Sequence, residues 1–131
     1  MSRNDTNEKV SELKIDKDCF PNGEWIPFYL NVIRKTCSEF AVAVKSISVC
    51  ESKRKGLHFY IEIEPAVNPE LVNMLQWLLG DDCRRVDFNR ARIDSDLREW
   101  NKLFEVAGRK PRMVYRFDGE EIDEFSDGKP G

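Results

Sequence analysis

The chain contains one histidine, His58, in a stretch where apolar and polar residues alternate as they do in a half-buried β-strand. Residues of a strand point to alternate faces, so His58 shares its face with Tyr60 and Glu62. The preceding segment 44–50 alternates in the same way and ends at Cys50. If the two strands form a hairpin, Cys50 lies about 5 Å from His58 on the neighbouring strand. A thiol beside an imidazole could serve as a nucleophile with its base, or the histidine could simply be hydrogen-bonded on the sheet.

Metal chemistry has weaker support in the residue types. The four cysteines are 18, 13 and 33 residues apart, so none forms a C-x-x-C pair. We therefore expect free or buried thiols, no metal site and no cofactor. Three acidic residues near position 82 are sufficient for a divalent ion, but such residues also cap helices. The thiols are Cys19, Cys37, Cys50 and Cys83, and the acidic residues are Asp81, Asp82 and Asp87.

Two segments are rich in lysine and arginine. Lys53, Arg54 and Lys55 lie at the tip of the predicted hairpin, and segment 84–92 holds four arginines against one aspartate, with Phe88 among them. Arginine forks suit phosphate groups, and an aromatic ring beside them can stack on a base. The plainer interpretations are a solubilising turn and a solvated helix flank with weak ion pairs. The candidate nucleic-acid contacts are Lys53, Arg54, Lys55, His58, Tyr60, Arg84, Arg85, Arg90 and Arg92.

The run Ser52-Lys-Arg-Lys-Gly-Leu-His58-Phe-Tyr-Ile resembles the glycine-turn and histidine-strand motif of archaeo-eukaryotic primases, which are built on an RNA-recognition-motif-like (RRM-like) sheet. The resemblance implies that His58 contacts a phosphate or a nucleotide. That family also carries a metal-binding Asp-x-Asp pair on an earlier strand, where this chain has Ser46, Ser48 and Cys50. The resemblance therefore implies neither a metal site nor polymerase activity.

A second resemblance combines the hairpin with the run Leu79-Gly-Asp-Asp-Cys-Arg-Arg-Val-Asp-Phe-Asn-Arg-Ala-Arg92. It is similar to small uncharacterised proteins of archaeal viruses and plasmids, over roughly residues 45–105. It implies an origin and a fold, and no activity comes with it.

Hydrophobic periodicity predicts two helices around the hairpin. The first spans about residues 24–39 with Pro27 in its first turn, and strands follow at 41–50 and 57–64. Asn68 caps the second helix, Pro69 opens it and Gly80 ends it. The predicted core stripe of the first is Trp25, Phe28, Val32 and Thr36, widened by Tyr29, Ile33 and Phe40. That of the second is Leu71, Met74, Leu75, Leu78 and Leu79.

The second half of the chain continues with a third helix after Asp81-Asp82. It places Val86, Ile93 and Leu97 on its core side, and it places Arg85, Asn89 and Arg92 together on another flank. A further helix would carry Leu97, Trp100, Leu103 and Phe104 and end at Gly108. A last strand follows at about 112–117, and the acidic remainder forms a disordered tail or a short edge strand.

This order of elements predicts an α+β fold: a two-layer sandwich with helices on one face of a small antiparallel sheet, ferredoxin-like or RRM-like. A fourth strand would have to come from the N-terminal arm. We expect a polar arm over 1–18, one domain over 19–117 and an acidic tail over 118–131.

Charge is unevenly distributed over these regions. The arm carries four basic and five acidic groups, and residues 117–131 carry one basic and six acidic groups. The remaining body carries sixteen basic and thirteen acidic groups. The polar N-terminus and the lack of a long apolar run predict a cytoplasmic protein without membrane contact. We expect a small non-catalytic protein of an archaeal virus or mobile element that binds DNA or RNA. The alternative is a structural or protein-interaction module in which the sheet face, or Trp77 and Trp100, form a homodimer.

Overall fold

The computed structural model describes residues 9–17, 25–51, 56–97, 99–101, 112–118 and 122–124. Its elements are β1 (Val10–Lys17), α1 (Ile26–Glu39), β2 (Ala43–Glu51), β3 (Leu57–Val67), α2 (Pro69–Leu78), α3 (Cys83–Asp94), β4 (Arg112–Asp118) and β5 (Ile122–Glu124). The predicted α+β class is confirmed. None of the described helices is long and apolar enough to cross a membrane.

The five strands form one sheet in the order β1-β3-β2-β4-β5, and each neighbouring pair is antiparallel. β2 and β3 form the predicted hairpin, and β1 comes from the N-terminal arm. β3 therefore lies between β1 and β2, while β4 and β5 extend the sheet beyond β2. In a ferredoxin-like sheet the last strand would instead lie beside β1.

The buried face of the sheet and the apolar sides of the helices share one core. Phe59 on β3 is fully buried, and its ring meets Tyr29 of α1 edge-on at 5.0 Å between centroids. Fully burying an aromatic side chain stabilises the fold by about 1.5–3 kcal/mol. The Tyr29 hydroxyl also donates to the Leu79 carbonyl, which joins α1 to the end of α2.

Helix ends follow their predicted signals. The Asn68 side chain accepts the Leu71 N–H at 2.8 Å, and Pro69 occupies the first turn of α2. Gly80 follows that helix with φ of 89°, a conformation that suits glycine because it has no Cβ. Asp82 caps α3 by accepting the Arg84 N–H at 2.8 Å.

The predicted core stripes of α1 and α2 are confirmed only in part, because the centre of each buried side is rotated from the prediction. The predicted residues that are buried are Tyr29, Ile33, Leu75 and Leu79, and those that pack partly buried against the core are Trp25, Val32 and Leu71. Phe28 is exposed, and the buried side of α1 is the equally regular set Ile26, Leu30, Ile33 and Cys37, with Tyr29 beside it. Met74 and Leu78 of α2 are exposed. The buried side of α2 consists of Pro69, Val72, Asn73, Leu75 and Gln76. Two of these are polar, so counting apolar residues alone missed part of the buried side.

The segment after α3 also differs from its prediction. Residues 99–101 are not helical, and Trp100 is buried in the core. Trp100 is therefore not available as an anchor of a dimer interface. The rest of the predicted fourth helix lies outside the described residues.

Candidate functional site

Strand pairing sets Asp16, His58 and Cys50 side by side across β1, β3 and β2 on the polar face of the sheet. His58 is only 5% exposed, and its Nε2 lies 3.5 Å from an Asp16 carboxylate oxygen. The three residue types are those of a thiol nucleophile, a base and an orienting acid. Because Cys50 is buried as well, the row is closed to a substrate in the described structure. His58 is thus a partnered histidine of the sheet.

Beside these three residues, polar side chains of neighbouring strands form hydrogen bonds and ion pairs with one another. Arg116 on β4 donates to Ser48 Oγ and forms an ion pair with Asp118 at 3.1 Å. Ser46 Oγ donates to Glu62 at 3.0 Å. Tyr60 is half-buried, and its ring meets His58 edge-on at 6.4 Å between centroids.

The polar face carries more negative than positive charge. Apart from the Lys45–Glu64 ion pair at 3.5 Å, its described strand positions hold four carboxylates against two cations, a net charge of −2. The carboxylates are Glu12, Asp16, Glu62 and Asp118, and the cations are Lys14 and Arg116. A phosphate group is repelled by such a surface.

Arg85 lies in a buried polar network that joins α3 to the edge of the sheet. Its side chain is 4% exposed, and its guanidinium forms an ion pair at 2.9 Å with Asp81, whose side chain is fully buried. The same guanidinium donates to the Lys14 carbonyl on β1 and to Asn101 Oδ1. Asp81 Oδ1 accepts the Asp16 N–H at 2.9 Å. The network thus binds the backbone of β1 along its outer edge, where an unpaired strand would otherwise expose its N–H and C=O groups.

Asp81 is the acidic centre of this network. Burial raises the pKa of the Asp81 carboxyl, and the opposing effects of Arg85 and of the Asp16 and Asp82 N–H groups are smaller. A buried carboxylate of this kind depends on its cation, because the charge has little water to solvate it.

Amide side chains complete the network. Gln76 Oε1 accepts the Lys14 N–H and the Asn101 Nδ2, both at 2.8 Å. Asn89 donates to Asn73 at 3.2 Å, and Asn73 donates to the Val86 carbonyl at 3.0 Å. These bonds explain why polar residues occupy the inner sides of α2 and α3.

One side of α3, which we call the outer flank, consists of Arg84, Phe88 and Arg92. They follow one another at i, i+4 and i+8, the spacing of neighbours along one side of a helix. Phe88 is 56% exposed. The Arg84 side chain is 81% exposed and lies 3.5 Å from Asp82. The Arg92 guanidinium lies 5.9 Å from the centre of the Phe88 ring, within the range of a cation–π contact.

Two long hydrogen bonds hold the Arg92 side chain on the surface of α3. Its guanidinium donates to Asn89 Oδ1 at 3.4 Å and to the Trp100 carbonyl at 3.3 Å. It is half-buried, so part of it reaches the surface beside Phe88. The outer flank therefore presents a ring between two guanidinium groups.

The opposite side of α3 faces α2 across a groove of about 430 Å³. Arg90 lies in this groove together with Asp87 and Asp94, away from the outer flank. The exposed Trp77 and Met74 line it from α2.

The structure divides the predicted contact residues among four places. Arg84 and Arg92 share the outer flank, Arg90 lies in the groove, and His58 and Tyr60 belong to the polar face. Arg85 is buried, so the prediction that it is an accessible contact residue is wrong. The predicted flank of Arg85, Asn89 and Arg92 faces β1 at Arg85 and reaches the surface only at Arg92. Lys53, Arg54 and Lys55 lie outside the described residues.

Thiols and acidic residues give no metal centre in the described part of the chain. Within it, no group of three or more His, Cys, Asp or Glu side chains is arranged to hold a metal ion. Cys37, Cys50 and Cys83 are not in disulfides, and Cys19 lies outside the described residues.

The partner of His58 and the buried network were not anticipated from the sequence. Asp16 belongs to the segment expected to be a polar arm, and only strand pairing brings it to His58. A signal for the network does exist: Asn73 and Gln76 are three residues apart among the apolar residues of α2, and Asn89 lies four residues after Arg85 and four before Ile93 on α3. Polar residues at such positions indicate buried hydrogen bonds.

None of the protein-family models, curated proteins or solved structures compared with the chain matches it. Its function is therefore inferred from its own geometry.

Proposed function

We propose that the protein binds single-stranded DNA or RNA, without catalysis, through the outer flank of α3. The observation that carries the proposal is the exposed Phe88 ring between Arg84 and Arg92 on one side of a helix. Guanidinium groups bind phosphate oxygens through paired N–H donors, and a ring between them can stack on a base.

The preference for single strands follows from Phe88. A base can stack on a protein ring only when its face is free, and in a duplex both faces are covered by neighbouring base pairs. The two arginines are eight residues apart, about 12 Å along the helix. This span leaves room for a base on Phe88 with phosphate contacts on either side.

The polar face of the sheet is the less favourable surface for nucleic acid. It carries a net charge of −2 among the described residues, and its histidine is buried against Asp16. Its one described arginine, Arg116, is already bound to Ser48 and Asp118. The outer flank, in contrast, carries two arginines against one neighbouring acid, Asp82, which lies 3.5 Å from the largely exposed Arg84.

The finer fold assignment is part of this proposal. The unit β1–α1–β2, with β3 between its strands, has the split β-α-β arrangement of ferredoxin-like and RRM-like folds. RRM proteins place bases on aromatic residues of their sheet. Here we assign that role to a helix, in a cytoplasmic accessory protein of replication or regulation from an archaeal virus or mobile element.

Fluorescence anisotropy with a labelled oligothymidine strand and a labelled duplex tests the proposal. We expect the single strand to bind more tightly, and Phe88→Ala to weaken its binding about fivefold or more, since a stacked base contributes about 1–3 kcal/mol. Arg84→Ala should reduce the slope of log affinity against log salt by about 0.7, the value for one phosphate contact on a single strand.

Arg90→Ala is the matched control, because it removes the same charge from the groove side of the same helix. We expect it to change binding less than Arg84→Ala does. The proposal is refuted if neither nucleic acid binds at low salt, or if Arg84→Ala and Phe88→Ala leave binding unchanged.

A protein-interaction module is the second candidate, favoured by the exposed apolar residues Met74, Trp77 and Leu78 on α2. Single exposed apolar residues are ordinary, but three within five positions of one helix form a patch. Light scattering at micromolar concentration distinguishes a homodimer from a monomer. If Trp77→Ala dissociates a dimer, the patch is the interface.

A further inference from the structure

The groove between α2 and α3 combines an apolar floor with an acidic rim. Met74 and Trp77 of α2 and Val86 and Ile93 of α3 line it, and Trp77 is 57% exposed. Its volume of about 430 Å³ lies in the range of ligand pockets. An exposed tryptophan beside such a space is the residue type that most often anchors an interface.

The charged side chains of the groove determine which sign of charge a binding partner must carry. Glu70, Asp87 and Asp94 lie on it, and Arg90 is the cation among them, so these lining residues carry a net charge of −2. This charge disfavours nucleic acid, and it also disfavours a second copy docked groove against groove, because a two-fold interface would bring the like charges together.

The spacing of the acids indicates an extended partner. Asp87 and Asp94 are seven residues apart on α3, about 10 Å along the helix axis. The apolar surface also continues past the groove onto the exposed Leu78. A peptide segment can follow both features at once, whereas a small ligand would be confined to the cavity.

We propose that this groove binds a basic amphipathic peptide segment of a partner protein. Apolar side chains of the segment would pack against Met74 and Trp77, and its lysines or arginines would pair with the acidic rim. The site is separate from the outer flank proposed for nucleic acid, on the opposite side of the same helix.

Anisotropy of a short fluorescein-labelled peptide of lysine and leucine, with its leucines at helical spacing, tests this proposal on the full chain. The matched peptide has glutamate in place of lysine. We expect the lysine peptide to bind and the glutamate peptide not to bind. Asp87→Asn/Asp94→Asn should weaken lysine-peptide binding about fivefold, since each exposed pair contributes a modest amount. Trp77→Ala should weaken it about tenfold or more.

An Arg84→Ala/Phe88→Ala variant is the control for the other side of α3. It should leave peptide binding unchanged while weakening the binding of oligothymidine, so failure of one proposal is distinguishable from failure of the other. All replaced side chains, Trp77 included, are exposed in the native chain, and circular dichroism checks that each variant is folded.

Three results would overturn the groove proposal. The first is equal binding of the lysine and glutamate peptides, and the second is unchanged lysine-peptide binding in both groove variants. The third is a dimer in light scattering that Trp77→Ala dissociates, which would make a second copy the occupant.

Discussion

Replacing Arg85 by alanine should destabilise the protein far more than the same change at the adjacent Arg84. The Arg85 guanidinium is buried and holds Asp81, the Lys14 carbonyl and Asn101 together. The Arg84 side chain is 81% exposed and lies 3.5 Å from one carboxylate. The two variants thus delete the same side chain from opposite environments.

The expected magnitudes follow from burial. Breaking a buried ion pair by removing one partner costs about 3–5 kcal/mol, because the remaining charge is left uncompensated. The Lys14 carbonyl also loses its bond to Arg85. Against a total stability of about 5–15 kcal/mol for a domain, Arg85→Ala should leave the fold marginal. For Arg84→Ala we expect a loss of about 1 kcal/mol or less, as for exposed pairs.

Urea denaturation followed by circular dichroism measures both free energies of unfolding. In Arg85→Ala the lowering effect of Arg85 on the Asp81 pKa is lost, so this pKa rises further. A carboxyl whose pKa is raised on folding stabilises the folded state below its ordinary value of 3.8, and this contribution is lost as pH rises through the folded pKa. The loss in free energy of unfolding that Arg85→Ala causes, relative to the native chain, should therefore become smaller towards pH 4.

An Asp81→Asn/Arg85→Ala double variant, which removes the orphaned charge, should be more stable at neutral pH than Arg85→Ala alone. The reasoning is refuted if Arg85→Ala costs no more than Arg84→Ala. It is also refuted if the double variant loses the sum of the two single losses, since residues of one network are expected to be coupled. Loss of nucleic-acid binding in an Arg85 variant would report unfolding rather than a lost contact.

Two further predictions concern single groups. Burial raises the pKa of the Cys37 thiol from 9.0 to about 11. In native protein at pH 8 we therefore expect iodoacetamide to modify the exposed Cys83 and to leave Cys37 unmodified until urea unfolds the chain, as peptide mass mapping would show. Because the unfolded chain loses the thiol proton first, stability should fall as pH rises through this interval. Asp82→Ala removes the cap of α3 and should cost about 1 kcal/mol. Slight burial acts to raise the pKa of Asp82, but hydrogen bonds from the Arg84 N–H and guanidinium outweigh it, so the pKa is lowered from 3.8. The difference in free energy of unfolding between Asp82→Ala and the native chain should therefore shrink as pH falls below 3.8. A difference that does not change with pH in urea titrations would contradict this.

Local signals predicted the elements well because their causes are local. Asn68, Pro69 and Gly80 mark the ends of α2 through a cap, a fixed φ and a left-handed φ, none of which requires the rest of the fold. The alternation around His58 likewise predicted β3, its hairpin with β2 and the side of the strand that faces the core. Strand alternation has only two faces, so assigning one determines the other.

The buried faces of the helices were harder to predict than those of the strands, because apolar residues can line more than one side of a helix. On α1 both sides of the stripe are apolar, and the sheet lies against Leu30 and Ile33 rather than Phe28. On α3 the side predicted to be a polar flank is the buried one. Arg85 is buried there because it donates to the Lys14 carbonyl on the outer edge of β1. Asn89 is buried beside it and donates to the side chains of Asn73 and Asn101.

The amino-acid sequence by itself determined that this chain forms an antiparallel hairpin with a polar face, that α2 begins at Asn68-Pro69 and ends before Gly80, and that arginines cluster on the third helix. Only the tertiary structure decided what those arginines do. Arg85 lies against a buried carboxylate from the preceding turn, Arg84 and Arg92 lie beside an exposed ring, and Arg90 lies among acids in a groove. The reason is physical: position on the helix is a local property, but burial and partner depend on which strand edge the helix meets. For His58 the same holds, because its partner Asp16 comes from a strand that is distant in the chain and adjacent in the sheet.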